Sequence, residues 1–168
     1  MICCNVCATS RSTRPSKPND GQGVAVEILL TEPMVLALPC GHAFAKRRAK
    51  SPIAIRELRD DSFVVFARQQ GPAFFDSTVA ACQRAGFSPN IAQEAPRITT
   101  ALALVAVGMG LCVVPESTQR IAMDGVVFRA IEERAGLKAV LALGWRRNDA
   151  SPALRNYLDL VRRLAADR

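Results

Sequence analysis

The last part of the chain shows the clearest hydrophobic pattern, an amphipathic stripe at helical spacing. Ser151 and Pro152, residue types that favour a helix cap and a first helical turn, come directly before it. The apolar positions of the stripe are Leu154, Tyr157, Leu158, Val161 and Leu164. This spacing predicts a helix that begins at Pro152 and packs one apolar face against the rest of the protein.

The middle of the chain alternates short apolar runs with segments of helical period, separated by glycine and proline. Strands are predicted over residues 24–30, 34–38, 63–66, 90–95, 111–114, 126–130 and 139–145. Helices are predicted over residues 53–58, 74–85, 98–107 and 117–121. Gly86, Gly108 and Gly110 stand where helices end. Strands that alternate with helices indicate an α/β fold with a partly parallel sheet and helices on its faces.

The composition is typical of a globular protein, with 49% hydrophobic and 22% charged residues. The length of 168 residues fits one domain or two small lobes. Residues 8–23 are rich in Ser, Thr, Pro, Gly and charge and have no periodicity. We therefore expect residues 1–23 to be a disordered leader and residues 24–168 to form the ordered domain.

The net charge of +7 includes one local basic cluster, formed by Lys46, Arg47, Arg48 and Lys50. Such a cluster could attract nucleic acid or anions, but without interleaved aromatic residues it more often is a solvated loop. No apolar run approaches the ~20 residues that a membrane span needs, and no secretory signal begins the chain. The sequence predicts a cytoplasmic protein without a membrane partner.

Metal binding and catalysis find little support in the sequence. Cys3, Cys4 and Cys7 are clustered, but a zinc site would need a fourth ligand, and the single histidine, His42, is far away in sequence. Cys40 is too close to His42 in the chain to form a thiol–imidazole pair with it. Gly108-Met109-Gly110 follows a helix and precedes a strand, the reverse of a dinucleotide-binding turn. We expect no metal, no cofactor and no enzymatic activity.

Three segments in a fixed order carry a resemblance to a known family. They are Glu32-Pro33-Met34-Val35-Leu36-Ala37-Leu38-Pro39 with the following Gly41-His42-Ala43-Phe44-Ala45, residues 63–77 (FVVFARQQGPAFFDS), and residues 93–117, which contain LALVAVGMGLCVVPES. A closing strand and helix over residues 139–164 fit as well. Each segment is weak alone, but in this order and spacing they resemble the C-terminal effector-binding half of LysR-type transcriptional regulators. The likeness covers about residues 24–166.

The resemblance implies a two-lobed fold of the type 2 periplasmic-binding-protein kind, with a small effector in the cleft between the lobes. Residues ~36–117 would form a largely complete second lobe. Residues ~24–33 and ~126–168 would be the remnant of an incomplete first lobe. The helix-turn-helix through which the family contacts DNA is not recognisable in this chain. Intact family members form homo-oligomers, and we expect weakened dimerisation and an exposed sheet edge here.

The resemblance also implies effector-binding residues in two segments. The first is the bend after the strand at residues 63–66, with Arg68, Gln69, Gly71, Pro72 and Phe74. Gly71 would let the backbone approach the ligand, Phe74 would offer an apolar wall, and Arg68 could pair with a carboxylate. The alternative is a surface loop that caps the following helix.

Ile98, Thr99 and Thr100 form the second segment, at a helix start whose free N–H groups favour anions. The alternative is simple N-capping by threonine. Together the two segments imply a small organic acid, aromatic or dicarboxylic, as the effector. A transporter's solute-binding protein, a small α/β enzyme and a truncated fragment without function remain alternatives.

Overall fold

The structure is a computed structural model that describes residues 2–6, 23–47 and 51–166. Its strands are β1 (Ile2–Val6), β2 (Val24–Pro39), β3 (Ser62–Phe66), β4 (Asn90–Ala95), β5 (Cys112–Pro115), β6 (Val126–Ala130) and β7 (Lys138–Arg146). Its α-helices are α1 (Pro72–Arg84), α2 (Ile98–Ala106) and α3 (Pro152–Ala166). Short 3₁₀ turns cover Ala43–Lys46, Ile55–Leu58, Glu116–Arg120 and Glu133–Ala135. None of the described helices is long and apolar enough to cross a membrane.

Strand β2 is one continuous strand of 16 residues, so the prediction of two separate strands at residues 24–30 and 34–38 was wrong. Its first half pairs antiparallel with β7, and its second half lies between β5 and β6, antiparallel to both. Pro33 stands where the partners change, so the absence of its backbone donor interrupts neither ladder. Met34 continues the pairing by donating its N–H to the Leu137 carbonyl at 3.2 Å.

A second group of strands extends the sheet on the far side of β5. Strands β3 and β4 are parallel, and β3 is bridged to the start of β5 by the Val64 N–H on the Leu111 carbonyl at 2.8 Å. Backbone bonds therefore connect the strands in the order β4, β3, β5, β2 and β6. This confirms the expected α/β fold with a partly parallel sheet.

The core lies on both faces of this sheet, because alternate residues of the central strands are buried in opposite directions. Leu36 and Phe63 are fully buried with residues of α1 on one face. Val35 and Val64 are buried with residues of α2 on the other. The sheet is thus a middle layer between two helical layers. The loops at the strand ends lie outside these packed faces, where a site can form.

Part of the expected disordered leader is ordered, since Ile2–Val6 form strand β1. Its backbone pairs antiparallel with β7, which gives the outer edge of that strand a hydrogen-bonding partner. The remaining leader, residues 7–22, lies outside the described residues. Strand β6 pairs with the half of β2 that also binds β5, although the expected lobe division grouped it with residues 24–33.

The helices begin close to their predicted starts. Helix α1 begins at Pro72, two residues before the predicted residue 74, because Gly71 serves as its N-cap and Pro72 fits the first turn. Helix α3 begins at Pro152 as predicted. Its apolar stripe packs in part: Leu158 is buried and Leu154 and Val161 are half-buried, whereas Tyr157 and Leu164 are 44% and 60% exposed.

Candidate functional site

A cavity of about 430 Å³ opens where the loop after β3 meets the start of α2. Because β3 and β4 are parallel, their carboxyl ends lie at one edge of the sheet, where open α/β sheets bind ligands. The lining residues are Phe66, Gln70, Gly71, Phe74, Pro96, Arg97, Ile98 and Thr99. The two segments predicted to form a cleft wall therefore border the same concavity.

One side of the cavity is aromatic. The ring centroids of Phe66 and Phe74 are 5.3 Å apart with an interplanar angle of 58°, a tilted arrangement favourable for an aromatic pair. Gly71 lies against the Phe74 ring and the base of the Phe66 side chain, since a β-carbon on it would be 3.7 Å from Phe74 Cδ2 and 3.7 Å from Phe66 Cβ. The absence of a side chain at Gly71 leaves the Phe74 ring accessible to a planar apolar ligand.

The opposite side is the N-terminus of α2. The first hydrogen bond within the helix runs from the Ala101 N–H to the Arg97 carbonyl, so the N–H groups of Ile98, Thr99 and Thr100 precede it. The N-cap position belongs to Arg97, whose side chain makes no capping hydrogen bond, so the threonines do not act as N-caps. Arg97 is the N-cap residue, and its guanidinium adds a full positive charge to the partial charge of the helix end.

Not all of the predicted site residues share this cavity. Gly71, Phe74, Ile98 and Thr99 do. Arg68, Gln69 and Pro72 line a neighbouring open depression of about 620 Å³, together with Ala67 and Glu94. Thr100 is exposed on α2 and lines neither of the two.

The Arg68 side chain is already paired. Its Nε donates to Asp76 Oδ1 at 2.8 Å, and this hydrogen bond raises the pKa of the guanidinium. Arg68 therefore stabilises the first turns of α1 in this structure, and the cation beside the aromatic wall is Arg97.

Four lining residues were absent from the predicted site residues: Phe66, Gln70, Pro96 and Arg97. Phe66 was assigned only to its strand, although the last residue of a strand can face the following loop. Arg97 directly precedes the predicted helix at Ile98, and a helix start includes the cap residue before the first helical position. The position of Arg97 one residue before the predicted helix start is the signal that could have identified it as a site residue.

The single histidine has structural partners. His42 Nδ1 accepts a hydrogen bond from the Phe44 N–H at 3.2 Å, and its Nε2 is 3.0 Å from Asp61 Oδ1. With both ring nitrogens engaged, the imidazole has no nitrogen available to activate the Cys40 thiol. Side chains of Cys3 and Cys4 and the whole of Cys7 lie outside what the structure describes. In the described ranges no cluster of three His, Cys, Asp or Glu residues could hold a metal ion.

Comparisons of the sequence with a protein family and with known proteins both point to LysR-type regulators. The sequence matches the LysR substrate binding domain family over residues 13–166. It is 33% identical over 150 residues to the HTH-type transcriptional regulator TtuA of Agrobacterium vitis, covering 86% of this chain and 48% of that protein. It is 29% identical over 135 residues to AlsR of Bacillus subtilis, covering 80% of this chain and 43% of that protein. The chain thus spans about half the length of these relatives.

The fold is similar to that of the BenM effector binding domain solved with its effector benzoate, with a TM-score of 0.72, 20% identity, and coverage of 91% of this chain and 66% of that one. It is also similar to CbnR, a LysR family transcriptional regulator, with a TM-score of 0.68, 25% identity, and coverage of 85% and 48%. These effector-binding domains have the type 2 periplasmic-binding-protein-like fold. The chain belongs to the LysR substrate-binding domain family, as its segment order indicated.

Proposed function

We propose that this chain is the effector-sensing part of a LysR-type regulator and binds a small organic acid in the cavity between Phe74 and Arg97. The observation that carries the proposal is the pairing of an aromatic wall with a cationic helix start across one concavity. An aromatic monocarboxylate fits both sides, with its ring against Phe66 and Phe74 and its carboxylate toward Ile98 and Thr99.

The chemistry of the two sides favours this orientation. A carboxylate gains from the unpaired N–H groups of a helix N-terminus and from a charge-assisted hydrogen bond to a guanidinium. An aromatic ring gains from burial against the phenylalanine pair. The fold neighbour BenM has benzoate as its effector, which agrees with an aromatic acid; a dicarboxylic acid remains within the same proposal.

Strand β2 is the element that would transmit the effect of ligand binding, because it connects two parts of the chain. Strand β2 contains residues 24–33 and continues into the proposed lobe at residues 36–117, so a ligand that closes the cleft would change the angle between these two parts. In the intact protein this change would alter the arrangement of subunits and their contact with DNA through a helix-turn-helix. We propose that the chain acts in the cytoplasm, without catalysis, and that its self-association is weaker than in intact regulators.

Calorimetric titration with benzoate, succinate and neutral benzamide tests the proposal. We expect measurable binding of at least one acid and much weaker binding of benzamide, because benzamide lacks the charge. Arg97→Gln should weaken binding of that acid about tenfold, the range for losing a charge-assisted hydrogen bond. Arg120→Gln removes an exposed arginine outside the cavity and should leave the affinity unchanged.

Phe87→Ala provides a control for a Phe74→Ala variant. Phe87 packs its ring 6.4 Å from Phe63, away from the cavity, so its loss should lower the melting temperature without affecting affinity. Phe74→Ala should lower both. Equal affinities of wild type, Arg97→Gln and Phe74→Ala for every acid that binds would overturn the proposed site.

A further inference from the structure

A second cavity, of about 320 Å³, lies at the other end of helix α1 and is not part of the cleft. Three arginines border it, Arg56, Arg84 and Arg134, together with the carboxylate residue Glu132. Each arginine comes from a different part of the chain: the 3₁₀ turn Ile55–Leu58, the end of α1 and the 3₁₀ turn Glu133–Ala135. Residues this distant in sequence meet here only because of the fold.

The position of one guanidinium is fixed by the backbone. Arg84 Nη2 donates to the Ala135 carbonyl at 2.9 Å and so connects the end of α1 to the turn that carries Arg134. Arg84 also offsets the partial negative charge at the C-terminal end of α1. This hydrogen bond brings two of the three cations to one rim of the cavity.

The other two guanidiniums are not neutralised by a direct ion pair. Within residues 23–47 and 51–166, neither Arg56 nor Arg134 has a carboxylate oxygen within salt-bridge distance. Glu57, beside Arg56 in sequence, is salt-bridged to Arg47 at 2.9 Å and accepts from the Ala54 N–H at 3.1 Å. The charge of Arg56 is the smallest of the causes that lower the pKa of Glu57. The rim therefore keeps a local excess of positive charge.

The floor of the cavity is apolar. The most buried lining residues, which we call the floor, are Ala54, Ile55 and Ala81, at 3%, 6% and 4% exposure. An apolar floor with a cationic rim matches a ligand that has a compact hydrocarbon body and a doubly charged head group. Guanidinium groups bind phosphate oxygens with bidentate geometry, which favours a phosphate over a monocarboxylate.

We propose that this cavity is a second ligand site, selective for a small organic phosphate monoester and independent of the cleft between Phe74 and Arg97. Arg56 and Arg134 contact the phosphate oxygens, and Arg84 stabilises the rim through its hydrogen bond to the Ala135 carbonyl. The hydrocarbon part of the ligand lies on the apolar floor. A site on the opposite end of α1 from the cleft would let a phosphorylated compound bind together with the organic acid.

Titration with phenyl phosphate, inorganic phosphate and neutral benzyl alcohol, followed by backbone amide shifts in two-dimensional NMR, tests this site. We expect phenyl phosphate to bind more tightly than either of the others and to shift amides near Arg56, Arg84 and Arg134 but not those of Ile98 and Thr99. Arg56→Gln and Arg134→Gln should each weaken binding about fivefold, the effect of losing an exposed charge contact. Arg120→Gln, with the same change of charge elsewhere, should not.

The proposal is overturned by any of three results. One is no saturable binding of phenyl phosphate to the wild-type chain up to about 10 mM, a concentration that detects weak ligands. Another is the same affinity for wild type, Arg56→Gln and Arg134→Gln. The third is a set of shifts confined to Ile98 and Thr99. Failure here leaves the benzoate titration of the cleft unaffected, because the two cavities share no lining residue.

Discussion

A β-carbon on Gly110 would lie 2.6 Å from the carbonyl oxygen of Ser62. The close approach arises because the start of β5 is bonded to β3, with the Leu111 N–H donating to that same carbonyl at 2.9 Å. Gly110 also has a φ of +156°, which side chains disfavour. Gly110→Ala should therefore separate β3 from β5 and lower the free energy of unfolding by on the order of 3 kcal/mol.

Denaturant melts monitored by circular dichroism measure this loss, and Gly41→Ala is the matched control. Nothing lies within 4 Å of a β-carbon at Gly41, so that substitution should change stability little. Equal unfolding midpoints for Gly110→Ala and wild type would mean that β3 and β5 are not in contact as described.

Gly71→Ala should weaken binding of an aromatic acid without lowering the stability of the protein. The added methyl would meet Phe66 and Phe74 at 3.7 Å, an ordinary contact distance, and Gly71 has a φ of −144° that any residue adopts. The melting temperature should stay near that of wild type. The methyl would, however, occupy space beside the Phe74 ring at the cavity, so the affinity for an aromatic acid should fall about tenfold. Calorimetric titration with benzoate measures the change, and unchanged affinity would place the ligand elsewhere.

The fold could be predicted where local signals agree with the tertiary structure. Short apolar runs such as Phe63–Phe66 are buried on both sides, and Gly86 and Gly108 end helices with positive φ. Strand β2 could not be predicted as one element, because Pro33 indicates a break unless its neighbours are known. Strand β1 was also missed, since its stability comes from pairing with β7, more than 130 residues away in sequence.

The candidate site was predicted at the level of segments and only partly at the level of residues. The sequence placed two loops beyond strand ends, and the parallel pairing of β3 and β4 brings those loops together. It could not show that Arg68 would pair with Asp76 on the next helix, leaving Arg97 as the cation at the cavity. Side-chain pairing of this kind depends on the relative position of two elements, which hydrophobic period does not encode.

The Glu27–Arg162 contact predicts a pH dependence of stability. Arg162 Nη2 donates to Glu27 Oε2 at 2.7 Å, and this side-chain hydrogen bond lowers the pKa of the carboxyl below its usual 4.5. A carboxyl with a lowered folded pKa stabilises the native state above its unfolded pKa, and the effect is lost as the pH falls through the folded value. Glu27→Gln should melt about 1–2 °C below wild type near pH 7, a small shift because the pair is partly exposed.

The melting temperatures of the two proteins should converge as the pH falls through the lowered folded pKa of Glu27, because protonated Glu27 no longer attracts Arg162. Thermal melts over a series of pH values from 7 downward measure this convergence. Asp149→Asn is the control, because Asp149 accepts from the Ser151 N–H and has no arginine partner that the described residues show. A wild-type advantage that persists unchanged at low pH would contradict the role of this ion pair.

Two buried thiols should be chemically inert in the folded protein. Burial raises the pKa of Cys82 to about 11 and that of Cys112 to about 12, so almost no thiolate exists near neutral pH. In a variant with serine at Cys3, Cys4, Cys7 and Cys40, iodoacetamide should not label the native chain and should label both remaining thiols after unfolding. Mass spectrometry measures the labelling. Rapid alkylation of Cys82 in the native variant would show that the face beneath α1 opens.

The edge of strand β4 that faces away from β3 leads to a prediction about self-association of the chain. Among the described strands it pairs only with β3, and five of its six residues are exposed, so one edge presents unpaired backbone groups. We expect weak dimers through this edge, with a dissociation constant on the order of tens of micromolar, since an edge contact alone is small.

In analytical ultracentrifugation, Ile91→Lys should shift the sedimentation coefficient to that of the monomer, because a lysine opposes edge pairing. Ile121→Lys changes a residue of equal exposure, 38%, outside any strand, and should leave the dimer intact. A tight dimer that neither substitution affects would place the interface on another surface.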